Sequence, residues 1–291
     1  MQKDCLIAEI KETVSLFADQ KVLDKLIKSS VIFMEQFLKK IIREAGTLAK
    51  QYFDQGVSHT SKTNRGDLVT AADIAVSDYL IAAIQAAYPD HAIHTEELAE
   101  PINKGADYEW VIDPIDGTRN FAFGIPMWCV LVGLQYKQET ILAAVHNPIA
   151  NELFFAKKGG GAFLNDKPIH VNDNQTLDYG YGTVMRAAEE NKVYGSHMKE
   201  MERAYTHIVQ NTNMWLNNFA CMMPVCYFAS GGVDMVLCNS GLDHDYVAPL
   251  LIAEEAGAVV TDFDGNPWQR GRKDIVIGNK YIHPMVMEWL R

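Results

Sequence analysis

The chain has 291 residues, 48% of them apolar and 22% charged, which is enough to bury a large core and too apolar for a disordered chain. Its formal net charge of −11 argues against a nucleic-acid-binding surface, which would show clustered Lys and Arg, and an anionic ligand would need a local cation. The five cysteines (Cys5, Cys129, Cys221, Cys226, Cys238) form no CxxC pair and sit mostly in apolar sequence, the pattern of reduced thiols in a cytoplasmic protein. No apolar run reaches membrane-spanning length, and the charged N-terminus does not read as a secretory signal, so neither a membrane nor a nucleic acid is expected as a partner.

In chain order, residues 4–28 carry an irregular helical pattern, and residues 1–33 read as an N-terminal helical extension. A clearer amphipathic helix is expected over 34–53, where Phe37, Leu38, Ile41, Ile42, Ala45, Leu48, Ala49 and Phe53 share one face. Residues 57–69 read as a polar hairpin or loop, followed by a helix at about 71–88 and a short strand, 92–94, leading to Thr95-Glu96-Glu97. Strands are expected near 127–136, 140–147 and 152–157, with hairpin turns at Gly159-Gly160-Gly161 and Asn165-Asp166. From about 178 the pattern alternates: strand 182–185, helices near 196–210 and 219–230, strand 233–238, a helix starting at Asp245 and ended by Gly257, and strands 258–262 and 274–278. Pro249 is expected in the first turn of that helix, where a missing amide costs little. The chain thus divides into a more antiparallel α+β part, 34–177, and an α/β part, 178–291, within one two-lobed unit.

Residues 109–121, Glu-Trp-Val-Ile-Asp-Pro-Ile-Asp-Gly-Thr-Arg-Asn-Phe, carry the most chemistry. A buried strand runs into Asp113, Pro114 stiffens the turn, and Asp116 follows before Gly117-Thr118. Two carboxylates on a stiff turn suit a hard divalent cation such as Mg²⁺, and the Gly-Thr amides suit a phosphate bridged to it. A plain strand and turn would account for Pro114 and Gly117, but not for two acids beside Thr118. Asp67, Glu96 and the Asp243/Asp245 pair also stand at element ends. Glu96 and Asp113 would converge if their strands are neighbours, whereas Asp245 alone would read as a helix cap.

Trp110–Phe121 resembles the first signature of the inositol monophosphatase family of Mg²⁺-dependent, lithium-sensitive phosphatases. Asp67-Leu-Val-Thr-Ala-Ala-Asp73, Thr95-Glu96-Glu97, the stretch from Asn147-Pro148 to Gly161-Ala162, and Asp245 with Glu255-Ala256-Gly257 are similar to further family segments in the same order, spanning roughly 35–285. The resemblance implies a layered αβαβα fold, of mixed α+β and α/β character, and a homodimer. It implies two to three Mg²⁺ ions per site, with Glu96, Asp113 and the Ile115 carbonyl at the first and Asp113, Asp116 and Asp245 at the second. A third, weaker ion would lie near Glu96. Gly117 and Thr118 would bind phosphate, and a water oriented by Glu96 and Thr118 would attack phosphorus in line, with Asp67 accepting from the Thr118 hydroxyl. Asp116 and Asp245 would also border the substrate.

Three departures fall on the part that reads the alcohol. The family's usual Trp-Asp is here His244-Asp245; its Gly-Ser/Thr-Ala substrate stretch aligns with Phe219-Ala220-Cys221; and the acid that holds inositol hydroxyls aligns with Cys238. A small phosphorylated metabolite is therefore the expected substrate. Histidinol phosphate rivals inositol phosphates, and nucleoside bisphosphates and sugar phosphates stand behind them. An acidic pocket around Asp243 and Asp245 would suit an aminated alcohol. The reading from another class is a non-catalytic regulatory binding protein on the same fold.

Overall fold

The computed structural model describes residues 20–56, 59–61, 68–187 and 195–291. Helix α1 (Gln20–Gln55) contains the helix expected at 34–53 and begins well before it. Its buried positions Met34, Leu38, Ile41, Ile42, Ala45 and Ala49 recur at helical spacing. Strands β1 (His59–Ser61) and β2 (Leu68–Thr70) pair antiparallel at the ends of the polar segment. Helix α2 (Ala71–Ala87) starts on Thr70, whose hydroxyl accepts from the amides of Ala72 and Asp73 at 3.1 and 3.4 Å. The Asp73 carboxylate accepts from the Thr70 amide at 2.8 Å, which completes a capping box.

Seven strands then form one sheet: β3 (Ala92–Thr95), β4 (Tyr108–Asp116), β5 (Cys129–Tyr136), β6 (Glu139–Asn147), β7 (Glu152–Lys157), β8 (Gly161–Leu164) and β9 (Lys167–Ile169), side by side in chain order. β3 and β4 run parallel and the other neighbours antiparallel. A short helix, α3 (Thr118–Ala122), stands between β4 and β5, where the sequence suggested only a turn.

The second sheet holds β10 (Tyr181–Met185), β11 (Trp215–Asn217), β12 (Met235–Cys238), β13 (Val259–Thr261) and β14 (Ile275–Gly278), in the order β11-β10-β12-β14-β13. The accompanying helices are α4 (Met198–Asn211), α5 (Met223–Ala229), α6 (Asp243–Glu255) and α7 (Ile282–Trp289). Strands β8, β9 and β11 and helix α7 are short elements with no periodic pattern long enough to read from sequence.

Three apolar cores define the layering. Residues of α1 and α2 pack with Trp110, Ile112, Val130, Val132 and Leu142 on one face of the seven-stranded sheet. The opposite face, with Cys129, Leu131, Val145 and Phe154, meets α5 and α6, which also pack on Val236 and Ile277 of the second sheet. The outer face of that sheet, with Val184, Leu237 and Val276, is covered by α4 and α7 through Met201, Ile208, Ile282 and Val286. The order is therefore helix, sheet, helix, sheet, helix, the layered α+β architecture expected. The four cysteines among the described residues are free and buried.

Alternation of side chains along β5 sends Cys129 and Leu131 toward α6 and Val130 and Val132 toward α1 and α2. Gly133 continues the first row, and a Cβ there would stand 2.6 Å from Cγ1 of Val247, so the bare backbone permits the close approach of α6. Gly133→Val should therefore cost about 1–3 kcal/mol by overpacking. The loss of stability is measured by thermal unfolding of the variant against wild type.

Candidate active site

β3 and β4 are parallel neighbours in a register that pairs Thr95 with Ile112. Glu96 and Asp113 therefore leave the same end of the sheet side by side, as the sequence suggested. Asp113 and Asp116 share a face for a less visible reason. Residues three apart on a regular strand point to opposite faces. Here β4 advances from Asp113 to Asp116 while β5 advances only from Leu131 to Cys129, so a bulge at Pro114-Ile115 absorbs one residue. The Ile115 amide turns back to donate to Asp113 Oδ1 at 3.0 Å, and the Ile115 side chain is buried in the core beneath.

Asp245 arrives from the far side. Helix α6 begins at Asp243 behind Leu242, so Asp245 occupies the third helical position rather than the cap itself, and its Oδ2 accepts from the Leu242 amide at 2.6 Å. This start also corrects the expected place of Pro249, which falls in the second turn. There its missing N–H leaves the Asp245 carbonyl without the usual i→i−4 donor.

Two donor groups result. Carboxylate oxygens of Asp113, Asp116 and Asp245 lie within 4.8 Å of one another, as do ligand atoms of Glu96, Asp113 and His244. Asp113 belongs to both. It is 2% exposed and Asp116 6% exposed, and among the described residues no Lys or Arg pairs with Asp113, Asp116 or Asp245. Burial, and then the charges of Glu96, Asp116, Asp245 and Asp73, hold the Asp113 carboxyl well above the usual carboxylate range. Burial and then Asp245 push Asp116 up to about 8, against the opposing hydrogen bonds from the Met222 amide and the Cys129 thiol. Buried carboxylates with no basic partner are costly unless a cation neutralises them. An oxygen-rich set with one imidazole is a suitable donor set for divalent ions.

Gly117 has φ of +90°, and a Cβ there would meet Cys221 Cβ at 3.0 Å and the Met127 carbonyl at 3.1 Å, so only glycine suits this turn. The Thr118 hydroxyl is placed to donate to the Ile115 carbonyl (3.0 Å) and to Asp73 Oδ1 (3.3 Å). Asp67, the acceptor expected from sequence, lies outside the described residues; among those described, the Asp73 carboxylate, six positions on, meets Thr118. Asp73 was passed over because it reads as an ordinary capping-box acid; one oxygen caps Thr70 while the other faces Thr118. Burial raises its carboxyl to about 6, despite the Thr70 hydrogen bonds that lower it.

The positions expected from sequence to read the substrate separate. Phe219 is half-buried, and its carbonyl accepts from Asn120 Nδ2 at 2.5 Å. Ala220 is exposed and left-handed, with φ of +51°. Cys221 packs over Gly117, and the next amide, of Met222, donates to Asp116, so this loop is tied directly to the donor cluster. Cys238 is 2% exposed; the Tyr246 hydroxyl donates to its Sγ at 3.2 Å, and Ser240 Oγ lies 3.7 Å away. Its thiol is committed to packing at the end of β12. Asp243 is not an open acid either: it accepts from Arg270 Nε at 3.0 Å and from the Gly271 amide at 2.7 Å. Arg270 also bonds Gln135 and Glu109 and contacts His94, so the expected acidic pocket for an amine is partly neutralised.

A profile of the inositol monophosphatase family matches residues 33–291. The chain belongs to the inositol monophosphatase family. Among relatives, the Nus factor SuhB of Pasteurella multocida is 35% identical over 225 residues, covering 77% of this chain and 82% of that protein. The Thermotoga maritima IMPase structure is 28% identical with a TM-score of 0.77, over 88% of this chain and 95% of that one. The extragenic suppressor protein suhB of Bartonella henselae shares the fold, with a TM-score of 0.80 at 24% identity over 88% and 97% of the two chains. Among the described residues no helix is long and apolar enough to cross a membrane.

The raised carboxyls have a thermodynamic consequence. An acid whose folded value lies above its unfolded one binds more protons folded than unfolded, so stability falls as pH rises. For Asp116 that loss runs from about 4, its unfolded value, to about 8. With EDTA, the melting temperature should therefore drop between pH 6 and 8, and Mg²⁺ should remove most of that drop. Thermal unfolding at the two pH values, with and without the cation, measures it.

Proposed function

We propose that this chain hydrolyses a small phosphate monoester with the help of Mg²⁺. The observation that carries the reading is the sharing of Asp113 by two donor groups beside the Gly117-Thr118 turn. Bound there, divalent cations supply charge neutralisation for phosphate and lower the pKa of water to furnish a nucleophile. Glu96, Asp113 and the Ile115 carbonyl form one proposed ligand set, and Asp113, Asp116 and Asp245 the other.

The amides of Gly117 and Thr118 are assigned to a phosphate oxygen. Glu96 and the Thr118 hydroxyl orient the attacking water, and Asp73 fixes that hydroxyl by accepting its hydrogen bond. Phe219, Ala220 and Cys221 border the leaving alcohol, because their loop is bonded to Asp116 through Met222. The burial of Cys238 argues for an indirect role, through Tyr246, in place of contact with the alcohol. Family membership supports the reaction class, and the phosphatase structures among the neighbours support it further. Inositol and histidinol phosphates are the two alcohols to compare first.

A second reading rests on the relatives named Nus factor SuhB: a regulatory binding role for the same fold. The retained donor cluster favours catalysis. Phosphate release from a panel of monoesters should require a divalent cation, with Mg²⁺ the first to supply, and Asp113→Asn should lower it by at least about a hundredfold, since each ligand set loses a charge. Release by Asp113→Asn at the wild-type rate, or none by wild type across the panel, would count against catalysis.

A further inference from the structure

His244 is half-buried at the second position of α6, between two acids with different duties. Asp245 turns into the Asp113/Asp116 group. Asp243 is held outward by Arg270 Nε and the Gly271 amide. With both neighbours anchored, the His244 ring is carried toward Glu96 and Asp113, its nitrogen within 4.8 Å of their carboxylate oxygens. Among the described residues only the Ile115 amide donates a hydrogen bond to Asp113, so this 2%-exposed carboxylate has unused acceptor capacity turned to the same space.

Mg²⁺ is held through oxygen and retains several waters, whereas imidazole nitrogen favours first-row transition ions. We propose that His244 supplies an imidazole ligand to the cation held by Glu96 and Asp113, so that this position selects Mn²⁺, Co²⁺ or Zn²⁺ over Mg²⁺ while the Asp113/Asp116/Asp245 position remains all-oxygen. The inference rests on the proposed cation role of the cluster and adds a nitrogen donor and a metal preference to it. The neighbouring His94 is a poorer candidate for that donor, because its Nδ1 already contacts Arg270 Nη2 at 3.0 Å.

The test uses Mn²⁺ alone on the full chain, by pulsed electron paramagnetic resonance and calorimetric titration against Mg²⁺. Wild type and His94→Gln should show nitrogen coupling to bound Mn²⁺, and ¹⁵N-histidine labelling should shift it. His244→Gln and His244→Trp should lose that coupling and bind Mn²⁺ at this position about tenfold more weakly, with Mg²⁺ affinity little changed. Because wild-type coupling is read directly, the test survives a variant that folds poorly. Mn²⁺ bound without nitrogen coupling, or coupling retained in His244→Gln, overturns the nitrogen ligand and leaves the phosphatase reading standing. Failure of wild type to bind Mn²⁺ at all overturns both.

Discussion

Mutual repulsion among buried carboxylates is the constraint on which this structure turns. Asp113 and Asp116, buried on β4, meet the half-buried Asp245 at the start of α6 in the central helix layer, and half-buried Glu96 joins them from the parallel neighbour of β4. Without a positive partner such a cluster opposes folding, so the protein needs strong apolar cores on both sides of it. Those cores are present: the α1/α2 layer clamps β4 from one face, and α5 and α6 close the other. In the proposed reaction, a cation held there would both neutralise the cluster and handle phosphate.

The geometry that makes the cluster shared is set by one inserted residue. The bulge between Asp113 and Asp116 turns an i,i+3 pair on a strand into two acids on one face, and it brings the Ile115 amide back to Asp113. Gly117, left-handed and packed beneath Cys221, then starts α3 within reach of the same space. Arg270 works at a distance from these donors. It joins Glu109 on β4 and Gln135 on β5 to Asp243 on α6, holding the helix start that carries His244 and Asp245 against the sheet end.

Much of this was legible in the residues themselves. The Trp110–Phe121 segment showed a strand running into paired acids, and the strands expected near 127–136, 140–147 and 152–157 are present as β5, β6 and β7. Less legible was anything decided by three-dimensional pairing. The bulge cannot be read from Asp-Pro-Ile-Asp, because its existence depends on what β5 does opposite. Asp73 was hidden by its second duty as a capping acid. Cys238 was assigned to the alcohol from its aligned position, yet the hydroxyl of Tyr246, eight residues later, occupies its thiol. Asp243 looked like a free acid until Arg270, distant in sequence, was found on it. Each of these features depends on a partner that only the folded chain brings into contact or on a side chain with two roles, neither of which leaves a local pattern.

The central claim is that Asp113 is common to two cation positions. Counting divalent ions bound per chain, by equilibrium dialysis at neutral pH, tests it most directly across wild type, Asp245→Asn and Asp113→Asn. Asp245→Asn should lose one position and Asp113→Asn both. An Asp113→Asn protein that keeps as many ions as Asp245→Asn would contradict it.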